Sequence, residues 1–155
     1  MGILISIEQS AFAEWVRVSA FGYALMITSH AVGMAVMVGL ALAIDARLLG
    51  WWRDISYSAV NRFWGIAWAG FGVNFLSGSA LFTTQATSYI ENVPFLLKLA
   101  CVFAGMITAA LLQSAVTRDA DGWGDSPPAK VKALALASVA SWTGAVVGGR
   151  LIAYF

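Results

Sequence analysis

The chain is poor in the residue types that carry most soluble chemistry. Among its 155 residues there is a single histidine, His30, and a single cysteine, Cys101. One cysteine excludes an internal disulfide framework and leaves the redox compartment open. One histidine excludes multi-histidine metal centres, and no nucleophile–base pair, phosphate loop or metalloprotease motif is present, so hydrolytic chemistry is not expected. Charge is equally scarce: 11% of residues are Asp, Glu, Lys or Arg, giving a net charge of +1 that points to no nucleic-acid partner. A soluble domain carries more than twice that share of charge. The start, "MGILISIEQS", lacks a basic n-region, so no cleavable leader is expected.

What is abundant is apolar. Hydrophobic residues make up 60% of the chain, with seven tryptophans and nine phenylalanines, and the mean hydropathy is +0.79. Crossing a bilayer core takes about 20 apolar residues, and four segments are long enough: about 20–44, 60–82, 93–115 and 131–155. The expected fold is therefore all-α, an integral membrane antiparallel four-helix bundle forming a single transmembrane domain over 1–155. Residues 1–19 mix Ile7, Phe12, Trp15 and Val16 with Glu8, Glu14 and Arg17, as a short interfacial helix would, with Ser10 able to cap its start.

The basic residues set an orientation. Arg47, Arg53 and Arg62 flank the first loop, and Arg118, Lys130 and Lys132 flank the third; only Arg17, Lys98 and Arg150 fall at the opposite face. Lys and Arg concentrate in cytoplasmic loops, which predicts that both termini lie outside the cytoplasm. Small residues recur at four-residue spacing (Ala31, Ala35, Gly39, Ala43; Ala140, Gly144, Gly148), and Gly70 and Gly78 stand in the second span. Such positions let helix backbones approach closely, within one chain or between subunits.

His30 stands in "TSHAVGMAVMVG", near the middle of the first span. A neutral imidazole inside a membrane needs a hydrogen-bond partner or a metal. Met26, Gly33, Met34 and Met37 share its helix face; Gly33 could let something flat lie on the backbone, and the methionines are soft sulfur donors. The plainer alternative is a packed histidine bonded to Asn74, Ser79 or a backbone carbonyl. Lys98 and Arg150 fall at similar depth, above the histidine. They would suit haem propionates, or equally lipid headgroups reached by snorkelling. At the other end, Asp45 and Arg47 are two residues apart and do not share a helix face, so each is expected to pair elsewhere, Arg62 being one partner, or to sit among headgroups. Trp51 and Trp52 read as an aromatic belt. "RDADGWGDSPP" places Asp119, Asp121, Asp125 and Gly124 as a calcium loop begins, but position twelve is Lys130 rather than the required glutamate, so a solvated turn is expected. Ser126-Pro127-Pro128 would open the last helix.

"SHAVGMAVMVGLALAIDARLLG", "NVPFLLK" and "SWTGAVVGGRLIAYF" together resemble an uncharacterised family of small four-helix bacterial membrane proteins with the motifs LHxxGxxxLVG, DxRLLG, NPxFxxK and GRxIAY. The resemblance touches every span except the second. More distantly it is similar to the CopD-type copper-resistance domain and the HemJ-type protoporphyrinogen oxidase. It implies a bacterial inner-membrane location, and it implies that His30, Lys98 and Arg150 are the positions of interest. Where members of the family often carry a second histidine, this chain has Gln113. Bis-histidine haem within one protomer is thereby excluded, and Met106 is the residue at similar depth that could complete a Met/His haem.

Three functions are consistent with these residues. One is an accessory haem b electron-transfer subunit, with His30 as axial ligand, Lys98 and Arg150 on propionates, and Gly33 and Met106 beside the macrocycle. A second is copper(I) binding or passage along His30, Met34, Met37, Cys101 and Met106. The third is a cofactor-free structural subunit or homo-oligomer. In each the lipid bilayer is a partner, and so are further copies or other membrane subunits.

Overall fold

The computed structural model describes residues 1–124 and 126–154, and every regular element among them is helical. Asp125 of the calcium-like pattern and Phe155 at the end of the fourth expected span lie outside the described residues. Four helices are long and apolar enough to cross a membrane. They are α3 (Gly22–Leu48), α4 (Tyr57–Thr83), α6 (Val93–Asp119) and α7 (Ala129–Leu151). Three short ones, α1 (Gly2–Glu8), α2 (Ala11–Val18) and α5 (Ala86–Glu91), join them.

The helix starts follow local chemistry. The Ser56 side chain accepts from the Ala59 N–H at the start of α4, and Asn92 accepts from the Phe95 N–H at the start of α6, where Pro94 occupies the first turn. Each side chain satisfies one of the backbone donors that a helix start leaves free. Residues 1–19 form two helices rather than the one expected. Ser10 accepts from the Ala13 N–H, so the cap that the sequence offered for the start of a helix opens the second of the pair.

The long helices associate chiefly in two pairs, α3 with α4 and α6 with α7; α3 also packs on α7, while α4 touches α6 only thinly. Glycines set the close approaches. A Cβ on Gly33 would lie 2.6 Å from Asn74 N and 2.7 Å from Gly70 O, and one on Gly70 would lie 2.7 Å from Val36 Cγ1. On the other pair, Gly105 faces the Trp142 indole, Gly144 faces Cys101 Sγ, and Gly148 faces Lys98.

The dense core occupies one half of the molecule. Its members are Met37–Leu48 of α3, Val60–Ala67 of α4, Ala109–Val116 of α6 and Val131–Trp142 of α7. That end is also tied through its loops. Arg47 Nε donates to Ile55 O at 2.6 Å, its guanidinium stacks 4.2 Å above the Tyr57 ring, and Tyr57 meets Trp123 edge to face. The opposite end, where α1, α2 and α5 gather, lacks such a core and opens into cavities.

Two expectations for the first loop are corrected here. Asp45 does not pair with Arg62, and neither Asp45 nor Arg47 lies among headgroups: Asp45 is buried with no cationic partner among the described residues, and buried Arg47 is engaged by loop carbonyls. A guanidinium carries five N–H donors in a planar fork, which suits it to collecting the carbonyls of a turn.

Candidate functional site

His30 lies eight residues from Gly22 and eighteen from Leu48, about 12 Å and 27 Å along α3 at 1.5 Å per residue. It is therefore off-centre, toward the α1–α2–α5 end, because α3 continues past the apolar run to Leu48. Its Nδ1 is 3.0 Å from the backbone oxygen of Asn74, and the Asn74 side-chain amide returns a 2.8 Å bond to the His30 carbonyl. A carbonyl only accepts, so Nδ1 carries the proton and Nε2 keeps a free lone pair. Ser77 Oγ lies 3.4 Å from Nδ1. Of the partners expected for the imidazole, Asn74 is used through its backbone. Ser79 instead donates to Phe75 O.

Space for the ring comes from Gly78, whose Cβ would sit 2.9 Å from His30 Cε1. The role expected of Gly33 is corrected: the surface above it is filled by the α4 backbone, so nothing flat can lie there.

Two cavities meet at this imidazole. One, of about 360 Å³, runs between α4 and α6 past Phe71, Phe75, Phe95 and Leu99. The other, of about 580 Å³, opens toward the polar groups of Gln85, Ser88, Tyr89 and Asn92. His30, Gly78, Phe82, Phe95 and Lys98 line both. The result is an amphipathic cleft: apolar on the α4–α6 side, polar at the mouth, with an imidazole and an ammonium where the two halves join.

Lys98 is placed by its own motif. In "NVPFLLK", Asn92 caps α6, Pro94 starts it, Phe95 stacks on Phe82 and Tyr89, and Lys98 follows about one turn on. Its stem lies against α7, where Gly148 and Gly149 leave room; a Cβ on Gly149 would be 3.8 Å from Nζ. The glycines of the "GGR" motif thus serve the cleft. Arg150 does not: it is exposed and lines none of the three cavities described.

The remaining expected site residues divide. Met34 and Met37 share a small cavity of about 20 Å³ with His30, Lys98 and Trp142. Met106 packs against the core and Cys101 against Gly144, and neither lines a His30 cavity. No cluster of three or more His, Cys, Asp or Glu side chains able to hold a metal occurs among the described residues. Gln113 accepts a 2.8 Å bond from Trp68 Nε1, which fixes α6 to α4.

Sequence reading missed α5 and the aromatic stack that lines the mouth. Glu8 Oε2 accepts from the Thr87 N–H at 3.2 Å and from Thr87 Oγ1 at 2.7 Å, docking α1 on the first turn of α5. The Thr87 hydroxyl, with its amide, holds the Glu8 carboxyl below the usual carboxylate range. Burial, with Tyr23 nearby, pushes the Tyr89 phenol up. Arg17 Nη1 reaches Thr84 O, so α2 also closes on this end.

Fold and site define an all-α membrane protein with one amphipathic cleft centred on a histidine–lysine pair. No family model, curated protein or solved structure matches the chain.

Proposed function

We propose that this protein is an accessory haem b-binding electron-transfer subunit of a bacterial inner membrane, an antiparallel four-helix bundle with both termini outside the cytoplasm. The observation that carries the reading is the state of His30. Its Nδ1–H is committed to the Asn74 carbonyl, which leaves Nε2 as a ligand in a cleft shared with Lys98. Metal-ligating histidines characteristically donate their second ring N–H to a carbonyl or carboxylate, which orients the ring and raises its basicity.

The residues present fit haem on three counts. His30 would supply one axial ligand, Lys98 would neutralise a propionate, and Phe82 and Phe95 would wall the macrocycle. Haem bound there would supply one-electron chemistry. Neither Met106 nor Arg150 lies in the cleft, so the protomer offers one axial ligand and one propionate partner. The antiparallel arrangement is supported by the order of contacts, since Gly78, Asn74 and Gly70 meet His30, Gly33 and Met37 in reverse sequence.

Copper(I) is less well supported. His30, Met34 and Met37 do share a cavity, but so does the Lys98 ammonium, and two like charges in a medium of low dielectric repel strongly. The cofactor-free reading is separated by titration with haemin in detergent. Binding at His30 predicts a shift and sharpening of the haemin Soret band that H30A abolishes. Charge-assisted bonds are worth about 1.5–3 kcal/mol, so K98M should weaken haemin about ten- to hundredfold. Absence of any Soret shift in a folded wild-type protein would reject the haem reading.

A further inference from the structure

Far from the cleft, at the opposite end of α3, lies a carboxyl group that the proposed function does not use. Asp45 is 1% exposed, and neither carboxyl oxygen has a hydrogen-bond partner among the described residues. Beside it is Ser138 of α7, also 1% exposed, whose hydroxyl adjoins the carboxyl and has no other partner among the described residues. Two more unpartnered polar atoms belong to the same core, the indole Nε1 atoms of Trp64 and Trp142. The carboxyl and the hydroxyl thus sit together as polar groups buried between α3 and α7.

A bare carboxylate in such a place is costly, because burial of a charge requires a counter-charge or its removal. Every cation on the surrounding elements is turned elsewhere. On α3 itself, Arg47 is bonded to Ile55 and Arg53 carbonyls and stacked on Tyr57. Arg62 of α4 is exposed, and Arg118 of α6 is exposed and donates to Ser114 O. Lys130 of α7 is exposed, and Lys132 is half-buried, with no acidic partner among the described residues. None of the three cavities described reaches Asp45, so an organic cation has no room there. A metal ion would find only the carboxyl and one hydroxyl on side chains, whereas hard cations collect six or more oxygens.

We propose that Asp45, with Ser138 beside it, is a proton-binding site inside the membrane, a carboxyl that exchanges one proton with the first-loop end of the molecule. The proton supplies the missing charge with no space requirement and gives the carboxyl a donor of its own. Asp45 is three residues from the end of α3, about 4.5 Å of helix rise. The carboxyl therefore lies close to the first-loop end of α3. Ionisable side chains at membrane depth characteristically belong to such proton or ion pathways.

The test uses the full chain in liposomes and reads the carboxyl directly. Infrared difference spectra on a pH jump should contain a carboxylic-acid carbonyl band that D45N removes. Because Ser138 adjoins the group, S138A should move the band without removing it, which keeps the test decisive if D45N fails to fold. Dicyclohexylcarbodiimide, which attacks protonated carboxyls in apolar surroundings, should label Asp45, and labelling should slow as pH rises but not respond to sodium. Protection by sodium would show a metal-ion site and overturn the proposal. So would infrared spectra lacking any carboxylic-acid band assignable to Asp45.

Discussion

Gly78→Ala tests the geometry of the cleft with one methyl group. The new Cβ would stand 2.9 Å from His30 Cε1 and 3.1 Å from Nδ1, closer than a carbon can approach a ring without movement. The contact falls on a side chain rather than on backbone, so the imidazole gives way. Its Nδ1–H···O bond to Asn74 is then lost or lengthened. Overpacking of this kind costs about 1–3 kcal/mol, which includes a hydrogen bond worth about 0.5–1.5 kcal/mol net. For a chain of this length that corresponds to roughly 2–12 °C in midpoint. Two controls bracket it. Gly72→Ala meets nothing within 4 Å and should be neutral or slightly stabilising, since alanine favours helix. Gly33→Ala meets Asn74 N and Gly70 O, backbone that cannot swing aside, and should cost most. Thermal unfolding in one detergent should give the order Gly72→Ala, wild type, Gly78→Ala, Gly33→Ala from highest to lowest midpoint. Only Gly78→Ala should also weaken haemin binding more than its stability loss explains. Equal midpoints for Gly72→Ala and Gly78→Ala would refute the placement of His30 against α4.

Other outcomes follow from single bonds. Trp68→Phe removes the donor to Gln113 Oε1 and should cost about 1 kcal/mol, with no change in haemin affinity, by chemical denaturation and titration; a large affinity change would mean that Gln113 belongs to the cleft. Glu8 is lowered by its bonds to Thr87. Its contribution is thus present above the unfolded glutamate value and lost as pH falls through the lower, folded value. Amide protection at Thr87, taken relative to the intrinsic exchange rate at each pH, should fall on acidification into that range in wild type, whereas Glu8→Gln should show no such step; identical profiles would remove Glu8 from the docking of α1 on α5. Gly149→Ala has its nearest contact at 3.6 Å on the flexible Lys98 stem, and should leave stability within about 0.5 kcal/mol by the same denaturation assay.

Most of the helical framework was legible because a bilayer demands long apolar runs, and these stand out in composition alone. The boundaries were less so. The first span reads as ending at Ile44, yet α3 continues to Leu48 because Arg47 finds carbonyl partners eight and six residues on, in the loop that follows. The start of α6 was legible, since Asn92 and Pro94 write it locally. Residues 1–19 hid a break, because Ser10 caps a second helix as readily as a first. The helix α5 is held partly by Glu8 from 79 positions away, and no local pattern can announce that.

The site was partly legible in the same sense. His30 and Lys98 were singled out and line one cleft. Gly33 was read as room for a flat group and Gly78 as a packing glycine, and only three-dimensional contact shows that Gly78 seats the imidazole while Gly33 seats a helix. Arg150 was grouped with Lys98 by depth, but depth does not fix the face of α7, and its neighbouring glycines face Lys98 instead.

The central claim is that His30 is a haem ligand in this cleft. It is tested most directly by the reduced-minus-oxidised optical spectrum of the protein purified from haem-replete membranes, beside that of H30A. The account predicts Soret and α-band changes in the wild type, absent from a folded H30A. A folded wild-type protein without haem absorbance, or H30A with an unaltered spectrum, would contradict it.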